Sequence, residues 1–508
     1  MPSPLKIPFR SLAAVIMAGL VLGILPPVVA AAAPETVVRT EALDLRPLAP
    51  GAAVTEAGAV RAPRASWSEP AVRCAPIRFT MVGVAWRQSG EAPVPVRLSW
   101  GSAGALDRSA RVVADPDEGP DPGSPDDHGL QGTPPLWTGE AECLRVRLRL
   151  PAGEALRDVR LVYINSSGTA WERSALASLG DALARGWRAL WGMAAPAPAS
   201  ALAKKPAIIT RSEWGADESL RNEWGGCDAP DYAAKLKMAY VHHTAGSNSY
   251  TKAEADDVVR GVYAYHTGSS RKYCDIAYNF LIDRFGRIYE GRFGGMARPV
   301  IGAHAMGFNT GSTGVAAMGN FTTAKVPWKV TKAYKQLLAW RLDVAHRKPN
   351  GSSKMTSAGG SNTFYDAGEV VTLRTISGHR DTGYTTCPGQ KLYDKLPAIR
   401  KGATKIGLPK IYNPRRNPKT LAPGEGDIRF RAKLSGKLDW WIEISNEAGN
   451  VVRRLTGTGK KIDRRWQGKS GGIPVPPGDY TVVIGAENAG GAAARTAKLS
   501  LTVELALP

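Results

Sequence analysis

Apolar and polar residues alternate along two outer stretches of the chain, and a mixed strand-and-helix pattern lies between them. From Pro76 to about Asn165 the runs Ile77-Arg78-Phe79-Thr80-Met81-Val82, Val94-Pro95-Val96-Arg97-Leu98, Leu144-Arg145-Val146-Arg147-Leu148 and Val159-Arg160-Leu161-Val162-Tyr163 read as half-buried strands. They predict an accessory β domain over 76–170, a small β-sandwich broken by an acidic Pro/Gly loop at Asp115-Pro116-Asp117-Glu118-Gly119-Pro120-Asp121-Pro122-Gly123. The last stretch is β again: Ile442-Glu443-Ile444, a turn at Asn446-Glu447-Ala448-Gly449-Asn450, Val451-Val452, and Pro476-Pro477-Gly478-Asp479 before Tyr480-Thr481-Val482-Val483-Ile484. That spacing predicts an Ig-like β-sandwich over 413–508.

Between them, residues 207–412 alternate strand and helix and predict an α/β domain, a mixed sheet with flanking helices. Met238 to His243 is an apolar strand, and Ala253 to Tyr265 carries Val258, Val259, Val262 and Tyr263 at helical spacing. Ile276 to Ile282 and Arg287 to Tyr289 form a hairpin around Asp283-Arg284-Phe285-Gly286. Thr313 to Phe321 is a further strand, Thr331 to His346 a long helix, and the Gly/Ser/Asn-rich 349–363 an exposed insertion. Residues 33–75, rich in Ala, Pro and Glu without periodicity, read as a flexible segment. In 171–206 a helix with Leu176, Leu179, Leu183, Trp187, Leu190 and Trp191 on one stripe precedes an Ala/Pro linker. That stripe suits either an interfacial helix or one docked on a neighbouring domain.

Lys6 and Arg10, the apolar run Leu12 to Leu25 and the small residues Ala30 to Ala33 have the layout of a signal peptide over 1–32. An uncleaved anchor is the alternative, but the run falls short of the roughly 20 residues that span a bilayer. Export predicts a secreted or wall-associated protein with no transmembrane segment in the mature chain. The five cysteines agree with that compartment. Cys74 and Cys143 can pair, as can Cys227 and Cys274, while Cys74 and Cys143 as merely buried small residues is the other option. Cys387 is left over.

The 508 residues are too many for one core, and their net charge of +21 favours polyanionic surroundings. No helix-turn-helix, zinc finger or RNA-binding signature is present, so nucleic acid is not expected. Anionic wall polymers are the nearer partner for an exported chain.

The chemistry gathers in the α/β stretch. Tyr240-Val241-His242-His243-Thr244 ends a strand in an imidazole, and Gly378-His379-Arg380-Asp381 leads to Cys387-Pro388-Gly389, with imidazole and thiol eight residues apart. Two histidines and one cysteine make a three-ligand zinc set, which leaves a coordination place for water, whereas a structural zinc closes with four side chains. Each piece alone has a blander reading, a satisfied core histidine or a structural cysteine.

Residues 207–400 resemble the peptidoglycan recognition protein and type 2 N-acetylmuramoyl-L-alanine amidase family. The resemblance is carried by Ile209-Thr210-Arg211-Ser212-Glu213-Trp214-Gly215-Ala216, Val241-His242-His243-Thr244-Ala245, Cys274-Asp275-Ile276-Ala277-Tyr278-Asn279-Phe280-Leu281-Ile282, Gly302-Ala303-His304-Ala305-Met306-Gly307-Phe308-Asn309, and Ser377-Gly378-His379-Arg380-Asp381 through Cys387-Pro388-Gly389. It implies a Zn2+ cofactor on His242, His379 and Cys387, and an active-site tyrosine at Tyr278. Thr385 stands where phage members have a lysine. It further implies a substrate groove with His266, Arg271, His304 and Asn309, and peptidoglycan as the substrate. The activity implied is hydrolysis of the lactyl–L-alanine amide, with binding without cleavage as the alternative; members that only bind commonly lack the ligand cysteine. The outer stretches are similar to an accessory β domain of actinobacterial amidases and to the Ig-like fold of the flagellar hook-capping family, and neither implies catalysis.

Overall fold

The computed structural model describes residues 34–504 apart from 50, 56–57, 91, 114–118, 170–201, 222–223, 225–226, 228 and 422–425. The leader 1–32, the helix 172–191 and most of the linker lie outside the described residues. Among the described residues the three largest apolar clusters lie within residues 37–163, 203–406 and 411–503, and a fourth joins the first two stretches. Among the described residues no helix is long and apolar enough to cross a membrane.

The first core belongs to a ten-stranded sheet. Its main strands are β1 (Val37–Ala42), β2 (Ala71–Gln88), β3 (Pro95–Ser102), β4 (Ala105–Val113), β5 (Leu136–Leu150) and β6 (Ala155–Asn165). All four predicted runs fall on them. Hydrogen bonds join the strands into one sheet, where the alternation led to an expectation of a two-sheet sandwich. Residues 33–75 depart from the sequence reading. β1 pairs with β6, Val37 opposite Asn165 and Ala42 opposite Arg160, and Leu43, Leu45 and Val60 enter the core. A partner more than a hundred residues away supplies the order that local composition lacks. Cys74 and Cys143 are register partners on β2 and β5 and are joined as a disulfide.

The central domain is built on a six-stranded sheet in the order β7 (Ile208–Ile209), β10 (Ile288–Glu290), β9 (Phe280–Ile282), β11 (Ser312–Ala317), β8 (Met238–His243) and β14 (Ile376–Gly378). All neighbours run parallel except β9 and β10, the predicted hairpin. Period two sends Ala239 and Val241 to the core under helix α2 (Trp328–Val344), and Met238 and Tyr240 to the opposite side. Helix α1 (Ala255–Thr267) covers that side, and helix α3 (Leu396–Lys405) packs with α2. Within 349–363, read as an exposed insertion, Ser352–Thr356 is a strand, β12, pairing with β13 (Val370–Arg374). Cys227 and Cys274 are joined as the second disulfide.

The N-terminal sheet docks on α1. Met81, Trp137, Val162 and Ile164 share an apolar cluster with Val258, Val259, Val262 and Tyr265. The phenol of Tyr265 donates to the carbonyl of Thr133 at 2.8 Å. A Cβ on Gly83 would stand 2.3 Å from the Tyr265 ring, so only glycine lets that ring lie on β2.

The C-terminal core belongs to another sheet of six strands, again joined as one by its ladders. Its members include β15 (Ile411–Asn417), β16 (Ile428–Ser445), β17 (Val451–Trp466), β18 (Gly478–Glu487) and β19 (Ala497–Val503). It meets α2 through buried Lys410, whose ammonium donates to the carbonyl of Ala339 at 3.2 Å and lies 4.0 Å from Asp343.

Candidate metal centre

Sheet register brings the two histidines together. β8 and β14 run parallel with Val241 opposite Gly378, so the next residues, His242 and His379, emerge side by side at the carboxyl ends of adjacent strands. That end of a parallel sheet is where open α/β folds place their ligands. The two imidazole centroids are 4.7 Å apart. Tyr334 on α2 pins the strand end, its phenol donating to the carbonyls of His242 and Val315 at 3.0 Å each.

Cys387 is returned to them by the loop after β14. Residues His379–Asp381 make one 3-10 turn in which the Asp381 carboxylate accepts from the Gly378 amide at 3.0 Å. The Arg380 amide donates to the Cys387 carbonyl at 3.0 Å, and the Cys387 amide donates to the Thr385 hydroxyl at 2.7 Å. The donor atoms of His242, His379 and Cys387 lie within 4.8 Å of one another, and all three side chains are buried. Nδ1 of His242 is 3.6 Å from Sγ of Cys387. A tetrahedral zinc with bonds of about 2.0 Å to nitrogen and about 2.3 Å to sulfur sets that separation at roughly 3.5 Å. The set fits zinc in both atom type and spacing. Burial holds the His242 imidazole well below its ordinary pKa, with His379 and His304 adding to the effect, and the neutral ring is the form that binds metal.

Around these donors stand the other residues singled out in the sequence. The Tyr278 ring is buried 5.5 Å from that of His242, and His266 lies 5.8 Å beyond Tyr278. Tyr278 precedes β9 rather than lying in a strand. Nδ1 of His266 accepts from the Ala277 amide at 3.1 Å. Thr385, His243 and Arg271 line a cleft of about 1920 Å3, whose lining does not include His242, His379, Cys387 or Tyr278.

Two residues expected in a substrate groove have different surroundings. His304 is fully buried with Nδ1 3.2 Å from Nε2 of His242, and burial pushes its pKa down to about 3. A Cβ on Gly314 would stand 2.4 Å from that ring, so strand β11 can pass beneath it only as glycine. Asn309 is also fully buried. Its Oδ1 accepts from the amides of His304 and Ala305 at 2.7 and 3.0 Å. Its Nδ2 donates to the Gly119 carbonyl and the Asp121 carboxylate at 3.1 and 2.9 Å. These bonds fill the capacity of the amide, so Asn309 clasps the N-terminal sheet rather than facing a groove.

Missed in the sequence were Asp121, Asp126 and Arg292, which join the two domains. Arg292 pairs with Asp126 at 2.6 Å, and Arg271 donates to the carbonyls of Leu130 and Gly132 at 3.3 and 3.1 Å. The only signal was an acidic Pro/Gly loop, which reads equally well as solvent-facing.

The family model described as N-acetylmuramoyl-L-alanine amidase matches residues 232–390. Peptidoglycan-recognition protein SC2 of Drosophila simulans is 33% identical over 179 residues, covering 35% of this chain and 82% of that protein. The chain belongs to the peptidoglycan recognition protein and type 2 amidase family. Within this family, a peptidoglycan recognition protein of Trichoplusia ni is 26% identical over 189 residues, covering 37% of this chain and 85% of its own length. Among solved structures, wild-type Drosophila PGRP-LB aligns at 25% identity and a TM-score of 0.29, covering 38% of this chain and 93% of that one. The family model's match lies within the central domain and includes neither outer β sheet.

Proposed function

We propose that this protein is a zinc-dependent N-acetylmuramoyl-L-alanine amidase. Its substrate is peptidoglycan, and it cleaves the amide between the lactyl group of N-acetylmuramic acid and L-alanine of the stem peptide. The observation that carries the reading is the convergence of three buried donors from His242, His379 and Cys387 within 4.8 Å. These residues would hold the zinc. When bound, the metal supplies a Lewis acid and a water whose pKa falls from 15.7 toward about 7.

The chain's own residues do the remaining work. Tyr278, beside His242, donates to the oxyanion that develops on the lactyl carbonyl. Thr385 accepts from the Cys387 amide and keeps its own O–H to donate toward the cleft. His304 fixes the orientation of His242. The C–N bond breaks, the water oxygen stays on the lactyl carboxylate, and the alanine nitrogen leaves as a protonated amine.

Two disulfides support an exported, wall-associated enzyme. The net charge of +21 supports contacts with anionic wall polymers through the outer sheets. Binding without cleavage is the second reading, favoured by relatives that are named as recognition proteins. Cys387 beside two histidines supports hydrolysis instead. Metal analysis of the purified protein should find one zinc per chain, lost in Cys387→Ser; a Cys387→Ser protein that keeps full zinc would overturn the ligand set.

A further inference from the structure

We propose that Arg292 and the backbone amide of Cys274 form a carboxylate-binding subsite for the stem peptide, and that Asp126 of the chain's own N-terminal domain fills it as a built-in competitor that substrate displaces. The proposal rests on the amidase reading. It adds a subsite outside the metal set and the expected groove, and an occupant from a domain that the family match does not include.

The subsite stands beside the metal centre. The Arg292 amide donates to the carbonyl of Tyr278 at 2.8 Å, and the Tyr278 ring packs on that of His242. Cys274 lies four residues before Tyr278 in the same stretch. Asp126 is held by both oxygens: Oδ2 accepts from Nη2 of Arg292 at 2.6 Å, and Oδ1 accepts from the Cys274 amide at 2.6 Å. The side chains of Arg292 and Asp126 are 10% and 7% exposed, so little water screens the pair.

Asp126 is an imperfect occupant. A guanidinium offers a planar fork that a carboxylate can take with both oxygens. Asp126 gives one oxygen to Cys274, and Nη1 of Arg292 is left buried with no hydrogen-bond partner. Buried donors are nearly always paired. A ligand carboxylate seated squarely on the fork satisfies both nitrogens, and that difference lets substrate compete.

Asp126 belongs to a segment, 119–133, that offers the groups of a stem peptide. Its carbonyls at Leu130 and Gly132 accept from Arg271 at 3.3 and 3.1 Å. Its Gly119 carbonyl and Asp121 carboxylate accept from Asn309 at 3.1 and 2.9 Å. Arg271 and Asn309 are two of the residues expected to line the substrate groove. With this segment in place His242, Tyr278, His379 and Cys387 are at most 2% exposed. A polymer amide thus reaches the metal only when the segment moves, and apparent affinity is reduced by the fraction of molecules it leaves open.

The test measures affinity for a soluble disaccharide-peptide with chelator present, so that nothing is turned over. Asp126→Asn keeps the size of the side chain and an acceptor for the Cys274 amide. It should bind about ten-fold more tightly than the wild type, the scale of one charge-assisted hydrogen bond. Adding Arg292→Gln to Asp126→Asn should cancel that gain. The same ligand with its carboxylates amidated should not respond to the added Arg292→Gln. Hydrogen exchange reads the competitor without substitution: saturating ligand should speed exchange across 119–133 in the wild type. Slower or unchanged exchange there, no gain in Asp126→Asn, or an amidated ligand as sensitive to Arg292→Gln as the free acid overturns the proposal. If affinity and exchange change as expected but the zinc-loaded wild type leaves the ligand uncleaved, the amidase reading fails while the subsite stands.

Discussion

His304 and His242 meet ring to ring, Nδ1 to Nε2 at 3.2 Å, while Nδ1 of His242 faces the Cys387 sulfur at 3.6 Å. A neutral imidazole that gives Nδ1 to a metal carries its proton on Nε2, so His242 donates to His304. Partners of this kind orient a ligand and raise its basicity. His304→Ala should weaken zinc binding about 10- to 100-fold, measured by chelator competition. Unchanged affinity would reduce the contact to packing.

Asn309 links that pair to the other domain, because its Oδ1 holds the amide of His304 and its Nδ2 holds Asp121. Burial raises the pKa of Asp121, so its charge is carried at a cost. Asp121→Asn keeps an acceptor without the charge and should be near neutral in stability. Asp121→Ala removes the acceptor and should cost about 1–3 kcal/mol. Urea unfolding at neutral pH separates the two, and equal losses would contradict the clasp.

Tyr278 packs against the His242 ring, with 5.5 Å between ring centroids, and a phenol is not among the donors proposed for the metal. Tyr278→Phe should therefore keep its zinc while turnover drops about 10²- to 10³-fold, as when one oxyanion donor is removed. A full rate in the variant would remove its role.

Away from the site, burial lowers the pKa of His346, whose Nδ1 meets the Ile411 carbonyl at 3.1 Å. Below the ordinary value of 6.5 the unfolded chain binds a proton that the folded one refuses. Stability contributed by this group is therefore lost as pH falls below about 6.5, with a slope of at most about 1.4 kcal/mol per pH unit. His346→Gln should flatten the acid limb of the stability curve in zinc-loaded protein; parallel curves would assign that limb elsewhere.

What was legible in the sequence is what repeats locally. α1 and the outer β stretches show a period of 3.6 or two over their own length, while β8 was legible as an apolar run ending in a histidine and the hairpin from its Asp283–Gly286 turn. Cys387 was legible because its loop has a dense motif. β1 was not: its order comes from β6, far along the chain. Nor was the neighbour of His242 legible, since His304 reaches it across strand β11 and its glycine. The clasp of Asn309 on Asp121 spans 188 residues, beyond any local pattern. For the same reason the contacts of Asn309 and Arg271 with the N-terminal domain were not legible.

The central claim is amide hydrolysis at the His242–His379–Cys387 centre, and digestion of purified sacculi tests it most directly. Mass spectrometry of the released material should find stem peptides that begin with free L-alanine, suppressed by chelator and restored by zinc. Release of no such peptides by zinc-loaded protein, or release indifferent to chelator, would contradict the account.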